Sequence, residues 1–76
     1  MDTVLLTGGA GFFGDILKQR LLRDGFRVVS IDLEKDQTSH PHLISIQGNI
    51  CDRDLMTTIF REHRFSAVFH LSLIHI

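Results

Sequence analysis

The apolar positions change period as the chain is followed. Residues 3–7, "TVLLT", are a short apolar run with β-branched residues at both ends, the composition of a strand buried on both faces. A glycine-rich turn, "GGAGFFG", comes next. From Phe13 to Asp24 the spacing is helical: Phe13, Ile16, Leu17, Leu21 and Leu22 make an apolar stripe, and Lys18, Gln19, Arg20 and Arg23 fill the opposite face. Gly25 stands where a helix-ending glycine with positive φ belongs. "RVVSID" at 27–32 predicts a second strand, the polar "LEKDQTSHPH" at 33–42 a loop or a very short helix, and "LISI" at 43–46 a third strand. Asp52 is placed to cap a second helix whose inner face is Leu55, Met56, Ile59 and Phe60. "SAVFHL" at 66–71 starts a fourth strand. Strands alternating with helices across short links predict an α/β fold with parallel pairing and right-handed crossovers.

Composition narrows the class. Seventy-six residues allow one small domain at most. With 8 basic and 9 acidic residues in mixed order, there is no cationic stripe for nucleic acid or a lipid surface. No apolar stretch nears the roughly 20 residues that cross a bilayer. The opening lacks the basic-then-apolar pattern of a secretory leader, and a lone cysteine, Cys51, forms no internal disulfide. Both features point to a reducing, cytoplasmic setting.

The chemistry concentrates at the first turn. Gly8, Gly11 and Gly14 form a G-x-x-G-x-x-G array after a strand and at the mouth of a helix. Gly8 lets the chain turn out of the strand, Gly11 leaves room for a pyrophosphate against the backbone, and Gly14 allows close helix packing. The amides near Phe12 and Phe13 then face the phosphates, with the helix dipole favouring negative charge. Asp32 ends the second strand, and a carboxylate there accepts hydrogen bonds from both hydroxyls of an adenosine ribose while repelling a 2′-phosphate. That favours NAD over NADP. Leu33 and Glu34 supply no cation for a 2′-phosphate, and Lys35 is the nearest one. The bland alternatives are a plain tight βα loop for the glycines and a turn-opening residue for Asp32.

"TGGAGFFG" resembles the TGxxGxxG fingerprint of the extended short-chain dehydrogenase/reductase family, which includes the NAD-dependent epimerases and dehydratases of nucleotide sugars. "GNICD" at 48–52 is similar to that family's G-D-[IL]-x-D, and "AVFHL" at 67–71 to its D-x-V-x-H-L-A-A. The resemblance implies the N-terminal part of a Rossmann fold, with about four parallel strands in the order 3-2-1-4 and flanking helices. It implies NAD as cofactor, held by Gly8, Gly11, Phe12, Phe13, Gly14, Asp32, Asn49, Ile50 and Leu71. Asn49 stands where the family has an aspartate that accepts from the adenine amino group; its amide oxygen can still accept, the alternative being a turn residue. Ile50 would give an apolar wall for the adenine.

Other residues read as structural. His40 and His42 have no third partner for a metal. His63 lies near the second helix's C-terminus, where positive charge is favourable. Cys51 reads as a small packing residue near the adenine, and Ser72 has no activating partner. Of Phe12 and Phe13, one is expected in the core and the other beside the cofactor.

In the family a tyrosine base, aided by lysine and serine or threonine, takes a hydroxyl proton while hydride passes to the nicotinamide. This sequence has no tyrosine, so no catalytic residue is assigned and Y-x-x-x-K is expected beyond residue 76. The resemblance implies a parent enzyme that epimerises, dehydrates or oxidises a nucleotide sugar or a related small hydroxyl or keto substrate, and it allows a homodimer. The rival is a non-catalytic, redox-sensing NAD(P)-binding module of the same fold; a flavin protein fits less well, since those carry G-x-G-x-x-G. Residues 1–70 are thus expected to be an incomplete Rossmann portion. Residues 71–76, "LSLIHI", depart from the family's small alanines at Ser72 and Leu73. Their codons can be written CTG TCT CTT ATA CAC ATC, which matches a transposase mosaic-end adapter in register. The expectation is a translated adapter on a truncated gene fragment, with Leu71 fitting either origin and a genuine divergent strand end as the alternative.

Overall fold

The computed structural model describes residues 1–71. The expectation for residues 72–76 lies outside them. Four strands, β1 (Thr3–Thr7), β2 (Arg27–Asp32), β3 (Leu43–Gln47) and β4 (Ala67–His70), pair in parallel in the order β3-β2-β1-β4. Helix α1 (Phe12–Arg23) joins β1 to β2, and α2 (Arg53–Glu62) joins β3 to β4. The elements fall within a residue or so of the sequence reading, and residues 33–42 form a link without a helix.

This is the N-terminal part of a Rossmann fold, and its topology follows from handedness. The chain steps outward from β1 to β2 to β3, then returns across the sheet to β4 on the far side of β1. Right-handed crossovers running in opposite directions put their helices on opposite faces. Alternate strand residues accordingly feed two cores. Val4, Leu6 and Val28 meet Leu21 and Leu22 of α1, while Leu5, Val29 and Ile31 meet Ile59 of α2. β1 and β2 lie between both layers, which is why their apolar runs are almost continuous.

Both helices end as their sequences dictate. Gly25 takes φ +92° beyond α1. Its amide donates to the Leu22 carbonyl, and the Phe26 amide donates to Leu21, giving the paired bonds of a Schellman ending. Asp52 caps α2, its carboxylate accepting from the Leu55 amide at 3.1 Å.

The inner face of α1 differs from the amphipathic reading. Its buried residues are Gly14, Lys18, Leu21 and Leu22, whereas Phe13 and Ile16 are exposed. Gly14 decides this rotation. A Cβ there would collide with the Gly8 carbonyl and the Gly9 Cα, so the helix rests on the turn through its glycine. At about 100° per residue, Phe12 and Ile16 then point roughly 160° away from Gly14. Neither Phe12 nor Phe13 joins the core; both are 76% exposed, and their rings meet edge to face at 5.5 Å. On α2, Phe60 likewise sits half-exposed, stacked edge-on against Phe65.

Candidate functional site

The glycine turn, Asp32, and the Asn49–Ile50 bend all lie at the carboxyl ends of the strands. The strand order reverses about β1, and this end of a parallel sheet is where such a switch opens a crevice. Gly8 leaves β1 at φ +81°, a conformation open to glycine at no steric cost, with its amide bonded to the Ile31 carbonyl at 2.9 Å. Gly9, which the sequence reading passed over, has no room for a side chain either, because a Cβ would meet Ser30 Oγ and Leu6. Spacing gave no sign of it, since the contact depends on which β2 residue faces the turn.

Gly11 is different. Its φ of −77° suits any residue, and a Cβ would find only the Gly8 carbonyl, at 3.7 Å. The position is open on the side where a ligand would approach. Gly11 also begins α1 and contributes no side-chain cap, and the amides of Phe12 and Phe13 have no acceptor among the described residues. The helix start therefore offers free N–H groups and the positive end of the dipole.

Asp32 is fixed before any ligand arrives. Oδ2 accepts from the Ala10 amide at 3.1 Å, and Oδ1 accepts from the Glu34 amide at 2.9 Å. Each carboxylate oxygen has a further lone pair for an incoming hydroxyl. At the other side of the site, the Asn49 side-chain oxygen accepts from the Cys51 amide at 2.8 Å, so it serves the bend itself. Ile50 is 39% exposed beside it. Cys51 is exposed, next to Ile50 in the same bend. Leu71 packs its side chain on the α1 core, and its carbonyl lies over Gly8, where a Cβ would strike it. The Thr7 hydroxyl and His70 Nδ1 share a hydrogen bond at 2.6 Å, tying the ends of β1 and β4.

Lys18 is the residue that the sequence reading misplaced. Instead of facing solvent, its side chain is 1% exposed. Nζ donates to the Gly9 carbonyl at 3.1 Å and to Asp36 Oδ2 at 2.5 Å, and it pairs with Asp15 at 3.3 Å. An ammonium has three N–H donors, and here three acceptors surround it. Burial pushes the Asp36 carboxyl up, but hydrogen bonds from Lys18 and Thr38 and the Lys18 charge outweigh this and hold it below the ordinary value. In the same link the His42 amide donates to His40 Nδ1 at 3.0 Å. No helix among the described residues is long and apolar enough to cross a membrane.

A parallel sheet with an uncapped, glycine-lined helix start at its strand ends is the arrangement of dinucleotide-binding α/β proteins. The model of the NAD dependent epimerase/dehydratase family matches residues 4–75. The chain belongs to that family. It is 46% identical over 54 residues to the uncharacterized protein y4nG of Sinorhizobium fredii, covering 71% of this chain and 14% of that protein. It is 34% identical over 82 residues to the UDP-glucose 4-epimerase of Neisseria meningitidis serogroup A, covering 95% of this chain and 24% of the relative. Among solved structures, the Bordetella bronchiseptica enzyme WbmH in complex with NAD+ superposes with a TM-score of 0.87 at 29% identity, over 99% of this chain and 27% of that one. The chain thus spans about a quarter or less of the length of these relatives.

Proposed function

We propose that this chain forms the adenosine and pyrophosphate side of an NAD site in an epimerase, dehydratase or dehydrogenase. The substrate class is a nucleotide sugar or a related hydroxyl or keto compound. The observation that carries the reading is the bare start of α1: free amides at Phe12 and Phe13, beneath an open Gly11, on the strand-end edge that also holds Asp32. Gly8 and Gly14 shape the turn, and the Gly11–Phe13 backbone receives the pyrophosphate. Asp32 accepts from the ribose hydroxyls. Ile50 and the remaining hydrogen-bonding capacity of Asn49 border the adenine, and Leu71 closes the floor beside Gly8. NAD would supply a hydride acceptor and donor; the residues here bind and orient it. The sequence holds no tyrosine to serve as the family's base, and the proposal assigns the substrate proton step to residues outside this segment.

Support comes from the family match, from the NAD+ held by WbmH, and from the activity named for the meningococcal relative. Calorimetric titration of the full-length gene product with both cofactors tests the reading. NAD should bind more tightly than NADP, and Asp32→Ala should weaken NAD by about 1–3 kcal/mol, the cost of leaving hydrogen-bonding groups unpaired. NADP binding as tight as NAD in the unmodified protein would overturn it.

A further inference from the structure

A buried lysine in the middle of a helix needs an explanation, because an ammonium out of water is tolerated only with its charge and donors matched. The three acceptors of Lys18 belong to three different segments. Asp15 is on its own helix, Gly9 is in the glycine turn, and Asp36 is in the link after β2. Asp36 is itself held locally, its Oδ1 accepting from the Thr38 amide at 2.9 Å.

The bond to Gly9 carries the argument. The Gly9 carbonyl and the Ala10 amide belong to the same peptide unit. Lys18 grips the oxygen of that unit, and Asp32 accepts from its N–H. The plane is therefore clamped at both ends, by a cation on one side and an anion on the other. Hydrogen bonds in such a chain polarise one another. If the peptide turned over, its carbonyl would face the Asp32 carboxylate, and Lys18 would lose an acceptor.

We infer that Lys18 is a positioning residue for dinucleotide recognition: tied to Asp36, it fixes the Gly9–Ala10 peptide, and through that peptide it holds Asp32 in the orientation that receives the adenosine ribose. The inference rests on the ribose role given to Asp32 above. It also explains the burial of Asp36. Its carboxylate neutralises Lys18 inside the link and leaves Asp32 as the carboxylate that holds the Ala10 amide.

The test compares NAD with its adenosine 2′-deoxy analogue, titrated against the full-length gene product, with folding followed by circular dichroism. The unmodified protein should favour NAD by roughly fivefold or more, the worth of one buried hydrogen bond. In folded Lys18→Met that ratio should fall towards one. A role in stability alone would weaken both ligands equally and leave the ratio intact, and that result overturns the inference. Asp36→Ala, in a surface link, gives a second reading should Lys18→Met fail to fold. Its ratio should also fall, and an unchanged ratio again overturns the clamp. Asp32→Ala separates the two readings. A ratio near one in that variant, with the wild-type ratio preserved in both clamp variants, keeps the ribose role and removes the clamp. No discrimination by the unmodified protein removes both.

Discussion

The two helices of this chain begin in opposite ways. At α2, Asp52 folds its carboxylate back onto the Leu55 amide, so the positive end of the dipole is answered from within the chain. At α1 the equivalent position is Gly11, which has no side chain, and the amides that follow are left without acceptors among the described residues. The sequence could have supplied a cap, since the Gly11 backbone is extended and open to any residue. The difference separates a helix start closed by its own chain from one left open, and the proposed pyrophosphate site rests on that open end. α1 is compensated elsewhere: Gly14 lets it rest on the turn, and Lys18 pins it to Gly9 and Asp36.

Four measurements press on that contrast. The largest effect is expected from Gly14→Val, because its Cβ would meet backbone atoms of Gly8 and Gly9 that have no other place to go. Unfolding in urea should show a loss of about 3 kcal/mol or more, and a smaller loss would mean that α1 does not depend on this contact. Gly11→Asp should act on binding instead. The new carboxylate would cap α1 as Asp52 caps α2, so stability should hold or rise by a few tenths of a kcal/mol. NAD affinity, read by calorimetry, should fall about a hundredfold or more, equivalent to about 2.7 kcal/mol. Retained affinity would show that the bare helix start is not a phosphate site. Asp52→Ala should have the reverse profile, losing about 1 kcal/mol of stability with cofactor affinity unchanged.

The smallest effect concerns acid. Because the folded pKa of Asp36 is depressed, its contribution is present in full above its unfolded pKa and is lost as pH falls through the folded value. Stability should therefore be insensitive to this group from neutrality down to about pH 5 and decline below about pH 4. In Asp36→Asn that part of the decline should disappear from the pH dependence of the denaturation midpoint.

How much of this was legible depended on where each residue's partner lay. β1 and β2 were plain in the sequence because every interior position meets a core on one face or the other. The caps at Asp52 and Gly25 were plain because their partners lie within a few residues. The inner face of α1 was not. Periodicity equates apolar with buried, and here a glycine contact turned the helix so that Phe12, Phe13 and Ile16 faced outward and Lys18 faced in. The partner of Lys18 is 18 residues away, in a link with no regular structure, so no local pattern marks the pair. The three glycines and Asp32 stood out by spacing, but the peptide joining them to Lys18 is a matter of backbone orientation, which spacing does not encode. Asn49 is an intermediate case: its place in the "GNICD" stretch was visible, and the use of its oxygen within the bend matches the turn role that the sequence left open as the alternative.

The position of β1 has a consequence for synthesis. It is an interior strand, flanked by β2 and β4, yet of the four described strands it is the first to leave the ribosome. Val4 pairs with Val28 early, but its other neighbour is Ala67, 63 residues downstream. At about 5–20 residues per second, the stretch from the end of β2 to the end of β4 takes roughly 2–8 s to translate. Through that interval the Val4–Leu6 edge has a partner on one side only. The nascent chain therefore carries a sticky, half-paired strand for seconds, and chaperone occupancy there, or the translation speed of the codons between β2 and β4, should govern how much of the product escapes aggregation.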